Sequence, residues 1–310
     1  MDLLTCRNLV MAGRLCAVCM LLATSAAVAQ ELEPRRWSHL PVGANFVGIG
    51  GVYNDQNIKF NPTLRLENVK GDVYTAAVSY VRVLDVLGKS GRIDVLLPYT
   101  TARWEGLLEG APASTRRRGF NDPHVRFAVN LVGSPAQRAA EFRRYTVNTI
   151  VGAAVDITVP VGEYRNEKLI NLSDNRWVLK PQFGVVHNWA KWTAEVTASA
   201  WFYQDNDDFF GGKTLAQDPL YGLQTHLIYT FRPGVWASVS AAYGTGGRTS
   251  VDNVDAADRI SKTLMAISAG LPIDRQQGIK ATYLRGDTRE NTGSDDNILL
   301  FAYSLMWGGK

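Results

Sequence analysis

Charged and amide side chains recur at every second residue in several segments of this 310-residue chain, an arrangement that forms a polar surface. These residues are Arg92, Asp94, His124, Arg126, Asn130, Asp156, Lys180, Gln182, Glu195, Gln224 and His226. Two kinds of chemistry fit them: they line a polar path for a solute, or they pair with one another and only satisfy buried charges. Acids and bases are evenly mixed, which favours mutual pairing over a pore selective for one sign of charge.

The elements that position these side chains are strands. In DPHVRFAVNLVG, residues 122–133, the polar side chains alternate with the apolar residues Val125, Phe127, Val129 and Leu131. A period of two places the two sets on opposite faces of a strand. An apolar face opposite a polar one suits a soluble β-sandwich, or an outer-membrane barrel whose apolar face meets lipid and whose polar face lines a lumen.

The same alternation predicts about twelve strands, an even number as in bacterial outer-membrane barrels. The predicted strands are residues 45–53, 73–87, 92–104, 123–132, 147–161, 177–188, 192–204, 220–231, 235–243, 263–271, 278–285 and 297–307.

The connections alternate in length, which separates the two architectures. Short connections follow even-numbered strands at 88–91, 190–191, 232–234 and 272–277, with 134–146 as a longer exception. Long polar connections follow the odd-numbered strands at 54–72, 105–121, 162–176, 205–219, 244–262 and 286–296. Short periplasmic turns and long extracellular loops are typical of outer-membrane barrels, so the sequence predicts an all-β transmembrane antiparallel β-barrel.

Aromatic residues at predicted strand ends support this prediction, although soluble strands also end in aromatics. They are Tyr99, Trp104, Trp177, Trp189, Trp192, Tyr203, Trp236, Tyr243 and Trp307. In a barrel we expect them to form the two interfacial girdles.

The first 29 residues have the pattern of a cleaved signal peptide, with Arg7 and Arg14 before an apolar run and Ala27-Val28-Ala29 at the exit. A short uncleaved anchor is the alternative. All three cysteines lie in this leader. We expect a short periplasmic extension at residues 30–43 and the barrel at residues 44–310. Whether the extension docks at the periplasmic rim or enters the barrel as a partial plug is left open by the sequence.

Charge and composition indicate the partners. The formal net charge of +4 is too balanced for a nucleic-acid-binding protein. We expect the outer membrane of a Gram-negative bacterium, with its lipids and lipopolysaccharide as partners, the latter through the basic run Arg116-Arg117-Arg118. The alternating row 299–307 is similar to the terminal strand that the barrel-assembly machinery reads, although Gly308-Gly309-Lys310 follows it. No metal or cofactor is expected, because the acidic loops have no EF-hand spacing.

Aromatic side chains near the predicted outer mouth offer a place for an apolar solute to enter. The candidates are Trp201, Tyr203, Phe209 and Phe210. Packing within the girdle or the loops is an equally good interpretation.

Catalysis is not expected. A lipid hydrolase in such a barrel needs a serine beside a histidine, and no G-x-S-x-G motif occurs. His39, His124, His187 and His226 show no local nucleophile pairing of a known hydrolase type, although Ser38 adjoins His39, so only proximity in the fold would create a catalytic pair.

Four long segments resemble a known family. They are GRIDVLLPY (91–99), FNDPHVRFAVNLVGSPA (120–136), INLSDNRWVLKPQFGV (170–185) and the run from FYQDNDDFFGG to GGRTSVDN (202–253). They are similar to an outer-membrane family named for its link to the meta pathway of phenol degradation. The resemblance implies an outer-membrane barrel for uptake of aromatic or other small apolar compounds, and it supplies no catalytic residues.

The sequence therefore favours a channel for passive or facilitated uptake of small hydrophobic or aromatic solutes. The alternative is a non-conducting structural or adhesive barrel that acts through its extracellular loops, with an outer-membrane lipid hydrolase less favoured. Closure of the lumen by mutually paired charges would favour the non-conducting alternative.

Overall fold

A computed structural model describes residues 32–60, 66–168 and 170–309. The predicted signal peptide lies outside these residues. The described chain is built almost entirely of antiparallel strands that close into one barrel.

Seventeen strands and one short helix, α1, are assigned within the described residues. The strands are β1 (Ala44–Lys59), β2 (Leu66–Val86), β3 (Lys89–Leu108), β4 (Ala111–Phe120), β5 (His124–Val132), β6 (Thr149–Thr158), β7 (Val178–Trp189), β8 (Trp192–Tyr203), β9 (Asn206–Phe209), β10 (Lys213–Gln217), β11 (Leu220–Arg232), β12 (Val235–Gly246), β13 (Thr249–Val251), β14 (Val254–Asp255), β15 (Ile260–Pro272), β16 (Gln277–Thr288) and β17 (Gly293–Gly308). Helix α1 spans Ala139–Phe142. No helix among the described residues is long and apolar enough to cross a bilayer.

The barrel closes because β1 pairs with both β2 and β17. The β1–β17 ladder runs from Ala44↔Gly308 to Lys59↔Gly293. Strands β4 and β5 pair one after the other with β3, so the thirteen strands of this sheet occupy twelve positions around the wall. Closure removes free strand edges and satisfies the backbone without water. The predicted twelve-stranded antiparallel barrel is confirmed.

The two faces of the wall differ as the alternation predicts. Phe127 and Val196 are each 44% exposed on the outer face, whereas Arg126 and Glu195 are each 2% exposed on the inner face. A lipid-facing side chain must be apolar, so register and orientation are strongly specified.

Aromatic girdles mark both ends of the outer face. Trp189, Trp192 and Trp307 are exposed near the short connections, and Tyr99, Trp177 and Tyr243 are exposed near the long ones. Three predicted girdle residues instead point inward, namely Trp104, Tyr203 and Trp236. Position near a strand end cannot distinguish the faces, but the parity of each strand does.

The connections follow the predicted alternation of length, and we call the two ends of the barrel the short-turn end and the long-loop end. Four short connections join even-numbered wall positions to the next, and the longer one at 133–148 carries α1. The long connections are more structured than predicted, which corrects their assignment as loops. Strand β4 extends the β3 hairpin, and β9, β10, β13 and β14 form a separate four-stranded sheet. Residues 111–120 lack apolar alternation because both faces of most of β4 are exposed.

Candidate functional site

The barrel is not empty, because residues 32–43 fold back into it from the short-turn end. We call these residues the lumen segment. Its base is fixed by backbone hydrogen bonds from Val42 N to Gln137 O (2.8 Å) and from Gly43 N to Val83 O (3.0 Å). Its far end reaches Leu32, which is 4% exposed and packs in a cluster with Leu264. Of the two alternatives that the sequence left open for the extension at residues 30–43, its described part enters the barrel as a plug rather than docking only at the rim.

Trp37 is the main anchor of the lumen segment. Gly152 and Gly184 face each other across β6 and β7, and a Cβ at either position would lie 2.5 Å or 2.2 Å from the indole. Only glycines allow the ring to lie this close to the wall. Trp37 Nε1 donates to Thr197 Oγ1 at 2.8 Å, and the guanidinium of Arg126 lies 4.8 Å from the ring. The side chain of Trp37 thus fits a complementary recess in the barrel wall.

Charged contacts hold the rest of the segment. The backbone N–H of Arg35 donates to Glu195 Oε2 at 2.8 Å, and its guanidinium donates to Thr230 Oγ1 at 2.8 Å. Glu33 pairs with Lys280. Burial alone would raise the pKa of Glu33, but the charges of Lys280 and Arg36 outweigh it and lower the pKa to about 2. Glu33 is therefore ionised at neutral pH.

Three arginines surround Asp94 on the inner face of β3. Asp94 Oδ2 lies 3.0 Å from Arg92 Nη2, 3.2 Å from Arg126 Nη1 and 3.6 Å from Arg36 Nη2. We call Arg36, Arg92 and Arg126 the arginine cluster. Arg126 also donates from Nε to Gln182 Oε1 at 2.9 Å. One carboxylate is thus shared by a guanidinium of the lumen segment and two of the wall.

A second charged group lies beside the arginine cluster. Asp156 Oδ2 is 3.7 Å from Lys180 Nζ, and Asp156 Oδ1 is 3.4 Å from His124 Nδ1. Lys180 Nζ also lies 5.4 Å from the ring of Trp201. Asn130 donates to Trp37 O at 3.3 Å. The residues predicted from separate strands therefore meet in one network around the plug.

The remaining inner-face candidates lie on β11. Gln224 is half-buried and His226 is 3% exposed. His226 Nδ1 is 2.8 Å from Ser240 Oγ, and Glu195 faces His226 in the β8–β11 ladder. The fold thus creates a serine–histidine pair that was invisible in the sequence. Glu195 bonds to the Arg35 amide, and no bond joins it to the imidazole, so the three residues do not form the relay that a serine nucleophile needs.

The opposite side of the lumen is lined by small side chains. Gly48 faces Ser79 and Gly50 faces Ala77 across β1 and β2, while Gly50 faces Ala302 across β1 and β17. We call these five residues the small-residue wall. Sequence reasoning missed it because small residues score as neither apolar nor charged. The signal that it overlooked is Gly, Ala and Ser at alternate positions of adjacent strands.

A cavity of about 1620 Å³ separates the lumen segment from the small-residue wall. Its lining includes the small-residue wall and all members of the arginine cluster. The turns at Ala190, Pro233 and Pro272 also line it, so it reaches the short-turn end. The lumen segment therefore fills one side of the barrel and leaves the cavity open along the other side. We call this open passage beside the small-residue wall the aisle.

The long-loop end is covered by the described loops. Ile170 and Leu172 pack against a buried apolar cluster that includes Ile58, Phe60 and Trp104. We call these five residues the outer cap. Ser173 Oγ donates to Asp122 Oδ1 at 2.7 Å and pins the same loop to the barrel. The five side chains of the cap are apolar, and the guanidinium of Arg117 donates from Nε to the carbonyl of Ile170 at its edge (2.8 Å).

The four mouth candidates do not form a single site. Trp201 faces the lumen beside Lys180, and Tyr203 stacks under the guanidinium of Arg176 at 4.6 Å. Phe209 is 4% exposed and packs with Leu215 in the core of the four-stranded loop sheet, where Phe210 contacts it. Phe209 and Phe210 are therefore placed by loop packing.

Across the described residues, no group of three or more His, Cys, Asp or Glu side chains is arranged to hold a metal ion. The charged side chains inside the barrel instead form contacts between the lumen segment and the wall.

Several solved structures share this fold. An outer membrane channel from Pseudomonas putida F1 is 21% identical, with a TM-score of 0.75 over 89% of this chain and 100% of that one. The translocator domain of the autotransporter NalP from Neisseria meningitidis is 6% identical, with a TM-score of 0.54 over 94% and 98%. The transport unit of the autotransporter AIDA-I from Escherichia coli is 8% identical, with a TM-score of 0.54 over 92% and 97%. At these identities the likeness concerns the fold.

A closed ladder, an apolar outer belt and two girdles are the features of a transmembrane barrel of the Gram-negative outer membrane. No curated protein sequence matches the chain. A family profile described as "Putative MetA-pathway of phenol degradation" matches residues 50–300, which is most of the barrel, and the chain belongs to that family.

Proposed function

We propose that the protein is a passive channel of the outer membrane that admits small hydrophobic or aromatic solutes. The observation that carries this proposal is the cavity of about 1620 Å³ beside the lumen segment, lined by the small-residue wall. Gly48, Gly50 and Ala77 leave flat, apolar backbone at the surface, against which a planar ring packs without displacing a side chain.

The route follows from the two ends. The side chains of the outer cap are apolar, so we expect a hydrophobic solute to enter between them more readily than an ion, which would lose its hydration there. The cavity then leads to the short-turn end, which faces the periplasm in barrels of this type. No energy-coupling element is needed, because the solute moves down its own gradient.

Filling the cavity tests this function. Ala77→Trp places an indole in the aisle, and Val78→Trp places the same side chain on the lipid face, where Val78 is 49% exposed. Uptake of toluene would be measured in cells that depend on this barrel, with each variant checked for the heat-dependent gel mobility of a folded barrel. We expect Ala77→Trp to abolish most of the uptake and Val78→Trp to retain it. Equal uptake by both variants would refute a route along this wall.

The non-conducting alternative predicts that Ala77→Trp and Val78→Trp have the same uptake. The lumen segment and the charges paired around Asp94 fill one side of the lumen, but the cavity that they border remains open, which favours the channel. A catalytic role has less support, because Ser240 and His226 lie inside the barrel and are each less than 10% exposed.

We also infer that the outer face of the β3–β4 hairpin contacts lipopolysaccharide phosphates. Arg116 faces Arg103, and Arg118 faces Thr101, across this hairpin. Among the described residues the side chains of Arg116 and Arg118 have no ion-pair partner, and Phe120 below them is 63% exposed toward lipid. Basic side chains directly above an aromatic girdle suit an anionic headgroup layer. The barrel-assembly machinery is a further proposed partner, through β17.

A further inference from the structure

The cavity carries more positive than negative charge, although the lumen as a whole is mixed. Eight cationic side chains line it against five anionic ones. All five anions already have cationic or backbone partners. Glu33 pairs with Lys280, Asp156 with Lys180 and Asp94 with the arginine cluster, while Glu195 accepts from the Arg35 amide and Asp274 from the amides of Gln276 and Gln277. The excess is therefore not cancelled by unpaired acids elsewhere on the lining.

The excess is concentrated at the arginine cluster. The four cations Arg36, Arg92, Arg126 and Lys280 share the two carboxylates of Asp94 and Glu33, since Arg36 contacts both acids. Each guanidinium has five N–H groups in a planar fork. The described partners of Arg92 are limited to one oxygen of Asp94, and its buried Nε has no hydrogen-bond partner. Donors therefore remain for a further acceptor at the cavity wall.

An apolar surface of the cavity adjoins these N–H donors. Asp94 faces Val81 across the β2–β3 ladder, and Leu96 faces Ser79 of the small-residue wall. All four residues line the same cavity. A solute held at the arginine cluster thus lies with its other end toward glycine, alanine and valine surface.

We propose that this corner of the cavity is a subsite for the carboxylate of a small aromatic acid, whose ring lies on the small-residue wall. This proposal rests on the proposed function and narrows its solute class. A planar carboxylate matches the fork of a guanidinium in a bidentate contact, which a neutral aromatic cannot form. Exchange remains possible because Asp94 competes for the same N–H groups.

Binding of benzoate and of uncharged benzyl alcohol to the folded full-length barrel in detergent tests the subsite by calorimetry. We expect benzoate to bind more tightly than benzyl alcohol. Arg92→Gln removes one guanidinium and should weaken the binding of benzoate roughly tenfold, since a charge-assisted contact is lost. The binding of benzyl alcohol should change little. Asp94→Asn removes the competing carboxylate and should tighten benzoate. Arg285→Gln, at an exposed arginine outside the lumen, is the matched control.

The outcomes separate the two proposals. Binding of benzyl alcohol without any preference for benzoate overturns the subsite and leaves the channel for neutral aromatics standing. Binding of neither compound overturns both. If Arg92→Gln does not fold, Asp94→Asn decides alone, because weaker benzoate binding in that variant contradicts the proposal. Equal losses for both compounds in Arg92→Gln would show that Arg92 only holds the fold.

Discussion

The indole of Trp37 lies so close to the backbone of Gly184 that a Cβ at that glycine would be 2.2 Å from the ring. The two residues are far apart in sequence, and their contact fixes the lumen segment to the β6–β7 wall. This contact, together with the ionic contacts of Arg36 and Glu33, holds the lumen segment on one side of the barrel.

Gly184→Val should release the lumen segment while preserving the wall, because valine suits a strand but its side chain would occupy the place of Trp37. We expect faster hydrogen exchange at the Arg35 amide, which otherwise bonds to Glu195, and a higher single-channel conductance. Gly51→Val is the control, since a Cβ there would meet nothing within 4 Å. Unchanged exchange at Arg35 in Gly184→Val would contradict this role of the glycine.

Asp296→Asn should strongly destabilise the barrel. Asp296 is 0% exposed and pairs with Lys262, whose amine would then be left buried without its counter-ion. Removing one partner of such a pair costs about 3–5 kcal/mol. Urea unfolding in lipid vesicles measures the loss of free energy of unfolding.

The matched control is Asp287→Asn, which breaks the exposed pair with Arg285 and should cost less than about 1 kcal/mol. Similar losses for the two variants would show that Lys262 finds another partner or loses its proton at little cost.

The base of the lumen segment should loosen in mild acid. Burial lowers the pKa of His39, with partial compensation by its bond to Gln137, and the ring stacks on Phe142 at 5.0 Å. The native state therefore binds fewer protons than the unfolded state, whose histidine has a pKa near 6.5. The stabilisation is present above pH 6.5 and declines as the pH falls below it.

Hydrogen exchange of residues 134–145, corrected for its intrinsic pH dependence, measures this effect between pH 7.5 and 5. We expect protection to decline in the natural protein and to be independent of pH in His39→Gln, which keeps a side-chain amide for Ser134 and Gln137. The same decline in both proteins would assign the effect to another group.

Replacing both Arg116 and Arg118 with serine should reduce the lipopolysaccharide that co-purifies with the barrel, by several-fold. The reason is the loss of two exposed positive charges directly above the outer girdle. Phosphate analysis of the purified protein gives the amount. Arg285→Ser serves for comparison, because Arg285 is already paired with Asp287. Equal phosphate in all three proteins would exclude this surface as the binding site.

The wall of the barrel was predictable because lipid imposes a simple rule on the chain. Val125 and Phe127 must face outward, and the period of two then sends His124 and Arg126 inward. Strand β4 was not predicted, because most of it is exposed on both faces and its residues, such as Arg116 and Arg118, need not alternate with apolar ones. Trp104 and Trp236 were assigned to girdles by their place near strand ends, although strand parity turns both of them inward.

The lumen was only partly predictable. Sequence parity identified Arg92, Asp94 and Arg126 as inner-face residues, but gave no means of knowing that Arg36 joins them at Asp94. His226 and Ser240 likewise meet only because β11 and β12 pair in a particular register.

The sequence by itself determined a twelve-stranded barrel with an apolar outer face. Each strand contacts lipid independently, so each one must carry apolar residues at every second position, and this pattern is visible in the sequence of that strand alone. The tertiary structure alone decided what occupies the lumen. Trp37 reaches Gly152 and Gly184 across the barrel, and the aisle beside Gly48 and Gly50 exists because the plug docks on the opposite side. Such contacts join distant residues through the register of many strands, and no local pattern encodes them.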